Sequence, residues 1–96
     1  AQQLAPQFNV ATPQVALQNG GGIRNNSLIQ PGDLSALDTF GILPFANFLS
    51  VVPGVSRDRF KELLENSVSR VEFVDGRFAQ IAGFTMTWDP ARTAQV

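Results

Sequence analysis

The chain has 96 residues, 44% hydrophobic and 16% charged, and seven basic against eight acidic residues give a net charge of −1. That is the composition and size of one globular domain, or part of one, and the missing basic excess argues against a nucleic-acid or anionic-membrane surface. With no histidine and no cysteine, the chain cannot build a zinc site, a nucleophile–histidine pair or a disulfide framework.

A chain of this length buries only about 60–65% of its unfolded surface, so its core is expected to be modest. The longest apolar runs fall short of the ~20 residues a membrane helix needs. No basic segment followed by an apolar stretch opens the chain, so no signal peptide is expected. Both ends break off in mid-pattern, as a fragment does.

Ala1, Leu4, Ala5 and Phe8 fall at helical spacing, with Pro6 limiting the helix, and 9–14 reads as a connector. Val15–Gln18 is a short strand that runs into Asn19-Gly20-Gly21-Gly22-Ile23-Arg24. Glycine reaches φ > 0 without a Cβ clash, so this backbone could turn its N–H groups toward a ligand, with Arg24 adding a planar fork of donors. A plain glycine-rich turn is the other reading. Asn25-Asn26-Ser27 is a formal glycosylation acceptor of little weight. Gln30-Pro31-Gly32-Asp33 is turn chemistry, followed by a short helix over Leu34–Gly41 capped by Asp33 or Ser35. Pro44 ends it, leaving a bend at Leu43–Asn47. Phe48–Val52, apolar on both faces except Ser50, suits a buried central strand.

Ser56–Val71 carries the clearest pattern: Phe60, Leu63, Leu64, Ser67, Val68 and Val71 make an amphipathic helical stripe. Ser56 is a plausible N-cap and Asp58 suits the helix dipole. The stripe packs a core or, alternatively, meets a partner. Phe73–Phe78 contains Asp75-Gly76 and reads as a hairpin or as a loop. Phe78–Ala82 and Phe84–Asp89 are strands on either side of Gly83, the second alternating Phe84, Met86 and Trp88 with polar residues. The sum is an α+β fold: a mixed sheet, one long amphipathic helix (residues 56–71) across it, and shorter helices at its ends.

Candidate chemistry is sparse. Asp33 and Asp38, and Glu62 and Glu65, read as solvated pairs rather than carboxylates facing each other across a cleft. The serines have no histidine base. The glycine loop matches neither the Walker A pattern nor the spaced dinucleotide glycines. Recognition remains: an amide at Asn19, an anion-holding guanidinium at Arg24, and Phe45 on a bend as a stacking platform or else a core residue.

Five ordered blocks carry a resemblance. They are Val15-Ala16-Leu17-Gln18-Asn19-Gly20-Gly21-Gly22-Ile23-Arg24, Gln30-Pro31-Gly32-Asp33-Leu34, Ile42-Leu43-Pro44-Phe45-Ala46-Asn47, Leu63-Leu64-Glu65-Asn66-Ser67-Val68-Ser69 and Gly76-Arg77-Phe78-Ala79-Gln80-Ile81-Ala82-Gly83-Phe84. Together they resemble the C-terminal domain of the 5′-nucleotidase/UDP-sugar hydrolase family, and residues 1–96 are read as a single domain or a fragment of that domain.

The resemblance implies a two-domain phosphoester hydrolase of nucleotide catabolism. Its N-terminal metallophosphatase domain, absent here, holds two divalent metal ions and does the hydrolysis. The C-terminal domain grips the nucleotide or nucleotide sugar. It further implies substrate contacts from Asn19, Gly21, Gly22 and Arg24, stacking of the base on Phe45, and a base-edge contact from Asn47. No catalytic residue, metal ligand or cofactor falls in this chain, which on this reading is inactive alone. The family is periplasmic, secreted or cell-surface. Ala46 stands where the family usually has glycine, and the second stacking aromatic and an upstream arginine lie outside this sequence. Self-association of the fragment is expected from apolar surface left open. The alternative is a non-catalytic binding or interaction module that keeps the fold only.

Overall fold

The structure, a computed structural model, describes residues 1–92. It is α+β. Two short strands, β1 (Ala16–Asn19) and β2 (Ala79–Ala82), pair antiparallel with Ala16 opposite Ala82 and Asn19 opposite Ala79. The helices are α1 (Ala36–Ile42) and α2 (Arg57–Val68), and short 3-10 turns occupy Ala5–Phe8, Gly20–Gly22 and Val71–Phe73. Among the described residues the sheet holds only this antiparallel pair, so the mixed sheet expected from sequence is narrower than its pattern implied.

Both helices begin where side-chain chemistry says they should. Ser35 and Asp38 form a reciprocal capping box: the Asp38 N–H donates to Ser35 Oγ at 3.2 Å and the Ser35 N–H donates to Asp38 Oδ2 at 2.7 Å. The Ser35 hydroxyl, then its N–H, holds the Asp38 carboxyl below its ordinary pKa. Ser35, not Asp33, is therefore the cap. Ser56 Oγ accepts from the Arg59 N–H at 3.3 Å to start α2. That helix stops at Val68, and Val71 belongs to the 3-10 turn that follows.

α2 is tied to β2 by a polar contact inside the apolar stripe. Ser67, 3% exposed, accepts the Ala79 N–H on its Oγ at 2.8 Å. Beside it Phe60 meets Phe84 edge-on, with ring centroids 5.2 Å apart. Phe84 and Met86 are half-buried while Thr85 and Thr87 are exposed, so the period-2 alternation is real. Yet 84–89 forms no ladder and is not the expected strand. An alternating segment becomes a strand only when a partner takes its backbone groups, and 84–89 has no such partner among the described residues.

Phe48–Val52 is likewise not a buried central strand. It is irregular, and Phe48 is 98% exposed. The hairpin reading of 73–78 also fails: Asp75-Gly76 is a turn, with the Phe78 N–H on the Asp75 carbonyl at 3.3 Å, and β2 pairs with distant β1 rather than with a neighbour. At the start, a hydrogen-bonded turn at 2–4 leads into a 3-10 turn over Ala5–Phe8 with Pro6 near its N-terminus, short of a regular helix. The buried positions among the described residues are small: Ala5, Gly22, Ser67 and Ala79. The radius of gyration is 15.8 Å, against about 13 Å for a compact domain of this length.

Candidate functional site

The glycine loop continues directly from the end of β1. The Gly20 N–H donates to the Phe78 carbonyl at 2.7 Å and the Gly21 N–H to the Gly76 carbonyl at 2.9 Å, extending the contact between the two segments past the ladder. The reason for glycine here differs from the one the sequence suggested. None of Gly20, Gly21 and Gly22 has a positive φ. What they supply is close approach: a Cβ on Gly21 would stand 2.9 Å from Gly76 Cα, and one on Gly76 would stand 3.0 Å from Gly21 Cα. Two bare backbones cross there.

Arg24 leaves the loop toward α1. Its N–H donates at 2.8 Å to the carbonyl of Ile42, one of the last carbonyls of α1, which have no helical partner. That bond brings the chain past the helix end at which Pro44 turns it. The Arg24 guanidinium consequently lies 5.7 Å from the centroid of the Phe45 ring, and its Nη1 reaches the Gly21 carbonyl at 3.3 Å. Phe45 is 53% exposed, so it is not a core residue. Among the described residues Arg24 forms no ion pair.

Of the six sequence-predicted residues, Gly21, Arg24 and Phe45 are joined by these contacts. Asn19 folds back over the buried Gly22: a Cβ on Gly22 would meet Asn19 Oδ1 at 3.2 Å. The same Oδ1 accepts from Gln18 Nε2 at 3.2 Å. Asn47 is linked to Phe45 only through the backbone, its N–H on the Phe45 carbonyl at 2.9 Å, and its side chain is exposed. The loop thus offers an exposed cation beside an exposed aromatic face, an arrangement able to hold an anion attached to a flat ring.

A groove lies elsewhere. It measures about 750 Å³ between α2 and 86–92, with Leu64, Val68, Met86 and Trp88 among its walls, and shares no residue with the predicted set.

Sequence reading missed Gly76 and its flanks as the segment packed against this loop. The Asp75 Oδ1 accepts from the Arg77 N–H and Nε, both at 3.0 Å, and Asp75 Oδ2 faces Arg70 Nε at 3.4 Å. The Arg77 N–H is the main cause of a lowered Asp75 pKa. The available signal was a second glycine, flanked by opposite charges, that could face the first run.

The profile of the 5′-nucleotidase C-terminal domain matches residues 2–95. The chain belongs to the 5′-nucleotidase C-terminal domain family. Among its relatives, the trifunctional nucleotide phosphoesterase protein YfkN of Bacillus subtilis is 36% identical over 85 residues, 88% of this chain and 6% of that protein. The 5′-nucleotidase of Vibrio cholerae is 31% identical over 86 residues, 90% of this chain and 15% of that protein. A probable 5′-nucleotidase of Treponema pallidum is 36% identical over 61 residues, 64% of this chain and 10% of that protein. The chain therefore spans between 6% and 15% of these relatives' lengths. No solved structure gives a significant match.

No group of three or more His, Cys, Asp or Glu among the described residues could hold a metal ion. No helix among them is long and apolar enough to cross a membrane.

Proposed function

We propose that this chain is the nucleotide-gripping portion of a 5′-nucleotidase-type phosphoester hydrolase. Arg24 holds the phosphate, one face of Phe45 carries the base, the backbone at Gly21 and Gly22 lines the pocket floor, and Asn19 and Asn47 contribute amide contacts to the nucleoside. Hydrolysis belongs to a metallophosphatase domain of the parent protein with two divalent metal ions, so this chain alone is inactive. The parent is exported, and the remainder of it covers apolar surface open here.

The observation that supports this reading is the meeting of Arg24 and Phe45. They are distant in sequence, both exposed, and 5.7 Å apart. A guanidinium lacking a carboxylate partner, lying over an exposed aromatic ring, suits a phosphorylated nucleoside better than a structural ion pair. Removing a charge-assisted contact to phosphate costs on the order of 1.5–3 kcal/mol, and losing base stacking about 1–3 kcal/mol. Arg24→Ala in the full-length parent should therefore lower kcat/KM for AMP roughly tenfold or more. Phe45→Ala should weaken AMP and adenosine alike. Unchanged kcat/KM in Arg24→Ala would remove the assigned role.

A further inference from the structure

The glycine loop is gripped from outside the site as well as from within it. Gly76, whose carbonyl accepts the Gly21 N–H, sits between Asp75 and Arg77. Those two side chains close on each other across it: Asp75 Oδ1 takes both the Arg77 N–H and Nε, so the carboxylate staples the turn at both ends. Arg77 then reaches back to the end of α2, its Nη1 lying 3.2 Å from Ser69 Oγ and 3.4 Å from Asn66 Oδ1. Arg70 holds the other carboxylate oxygen at 3.4 Å. Val74, immediately before Asp75, has φ 53°, a conformation that costs a β-branched residue energy and persists only where its surroundings impose it. A chain of contacts therefore runs from α2 through Arg77 and Asp75 to Gly76, Gly21 and Arg24.

We infer that Asp75 and Arg77 are positioning residues for the Asn19–Arg24 loop: they fix Gly76 against Gly21 and so set where the Arg24 guanidinium stands beside Phe45. Neither touches a ligand on this view. The effect on nucleotide binding rests on the function proposed above, whereas the anchoring of the loop does not. Asp75→Ala removes both acceptors and frees the turn. Asp75→Asn keeps one oxygen for the Arg77 N–H and should restore part of the anchor.

The test follows amide hydrogen exchange by NMR in this chain, alongside titration with AMP and with adenosine. In Asp75→Ala the Gly21 amide should exchange about fivefold faster or more, the worth of one net hydrogen bond, with Asp75→Asn intermediate. The Ala79 amide, held by Ser67, should keep its protection. AMP affinity should fall by a similar factor and by more than adenosine affinity, because the displaced loop carries the phosphate-holding Arg24 as well as the nucleoside contacts at Asn19 and Gly21. Unchanged Gly21 exchange in Asp75→Ala overturns the inference. So does equal loss of protection at Gly21 and Ala79, which would make Asp75 a general stabiliser. Faster Gly21 exchange in a chain that binds no AMP upholds the anchor, and unchanged kcat/KM in Arg24→Ala of the full-length parent is then what refutes the nucleotide reading.

Discussion

Gly21→Ala isolates the backbone crossing from every other feature of the loop. The added Cβ would stand 2.9 Å from Gly76 Cα and 3.4 Å from Gly76 O. Both atoms are backbone, so no side chain can rotate away and the two turns themselves must part. Because Gly21 has no positive φ, alanine carries no conformational penalty there, and the whole effect comes from the collision. Overpacking of this kind costs about 1–3 kcal/mol, and parting the turns forfeits the Gly21–Gly76 hydrogen bond for roughly 1 kcal/mol more. The sum, about 2–4 kcal/mol, is a large share of the roughly 5–14 kcal/mol available to a domain of this length.

Urea unfolding followed by tryptophan fluorescence at Trp88 measures it. With a slope of about 1 kcal/mol per molar for a small protein, the midpoint should fall by about 2 M or more. Gly41→Ala is the matched control. Gly41 lies inside α1 with nothing near its missing Cβ, so alanine there should stabilise by about 0.5–1 kcal/mol. A Gly21→Ala midpoint indistinguishable from wild type, with Gly41→Ala behaving as stated, would refute the close-approach argument.

Two further outcomes are expected. Ser67→Ala leaves the Ala79 N–H buried without its acceptor and should cost about 1–3 kcal/mol in the same assay, a loss under about 0.5 kcal/mol counting against the α2–β2 tie. The exposed Leu28, Leu37, Phe40 and Phe48 and the open edges of β1 and β2 should make the chain self-associate as concentration rises, and sedimentation velocity showing only monomer throughout would contradict this.

What could be read from the sequence was what neighbouring residues decide. Ser35 and Ser56 start their helices because their own hydroxyls reach an N–H three residues on. β1 and β2 lie within a residue of their predicted spans, set by glycines at Gly20 and Gly83. Gly83 also explains itself structurally, with φ 90° and a Cβ position that would strike the Gln14 carbonyl. Arg24 and Phe45 were singled out by residue type and by resemblance, and their contact follows from one bond, Arg24 N–H to Ile42, that no local pattern encodes. Pairing between distant segments was beyond reach for the same reason. Asp75-Gly76 has the local signature of a hairpin, yet β2 pairs with β1 because their ladder and the Ser67 tie outbid a two-residue turn. Phe48–Val52 has a strand's composition without a partner to hydrogen-bond.

The distribution of order bears on how such a site would work. Apolar surface is open around α1 and Phe48, but the glycine loop is held from several sides: by the ladder, by Gly76 and by the end of α1. A loop already fixed loses little freedom when a ligand arrives, and side-chain or loop ordering otherwise costs about 0.5–1.5 kcal/mol per immobilised group. Arg24, exposed, held by one hydrogen bond to the Gly21 carbonyl and lying over the Phe45 ring, has no carboxylate partner to give up before meeting an anion. Rigidity in the backbone and availability in the guanidinium are therefore two results of one construction: glycines that let two turns touch, and an arginine placed just past the point where they do.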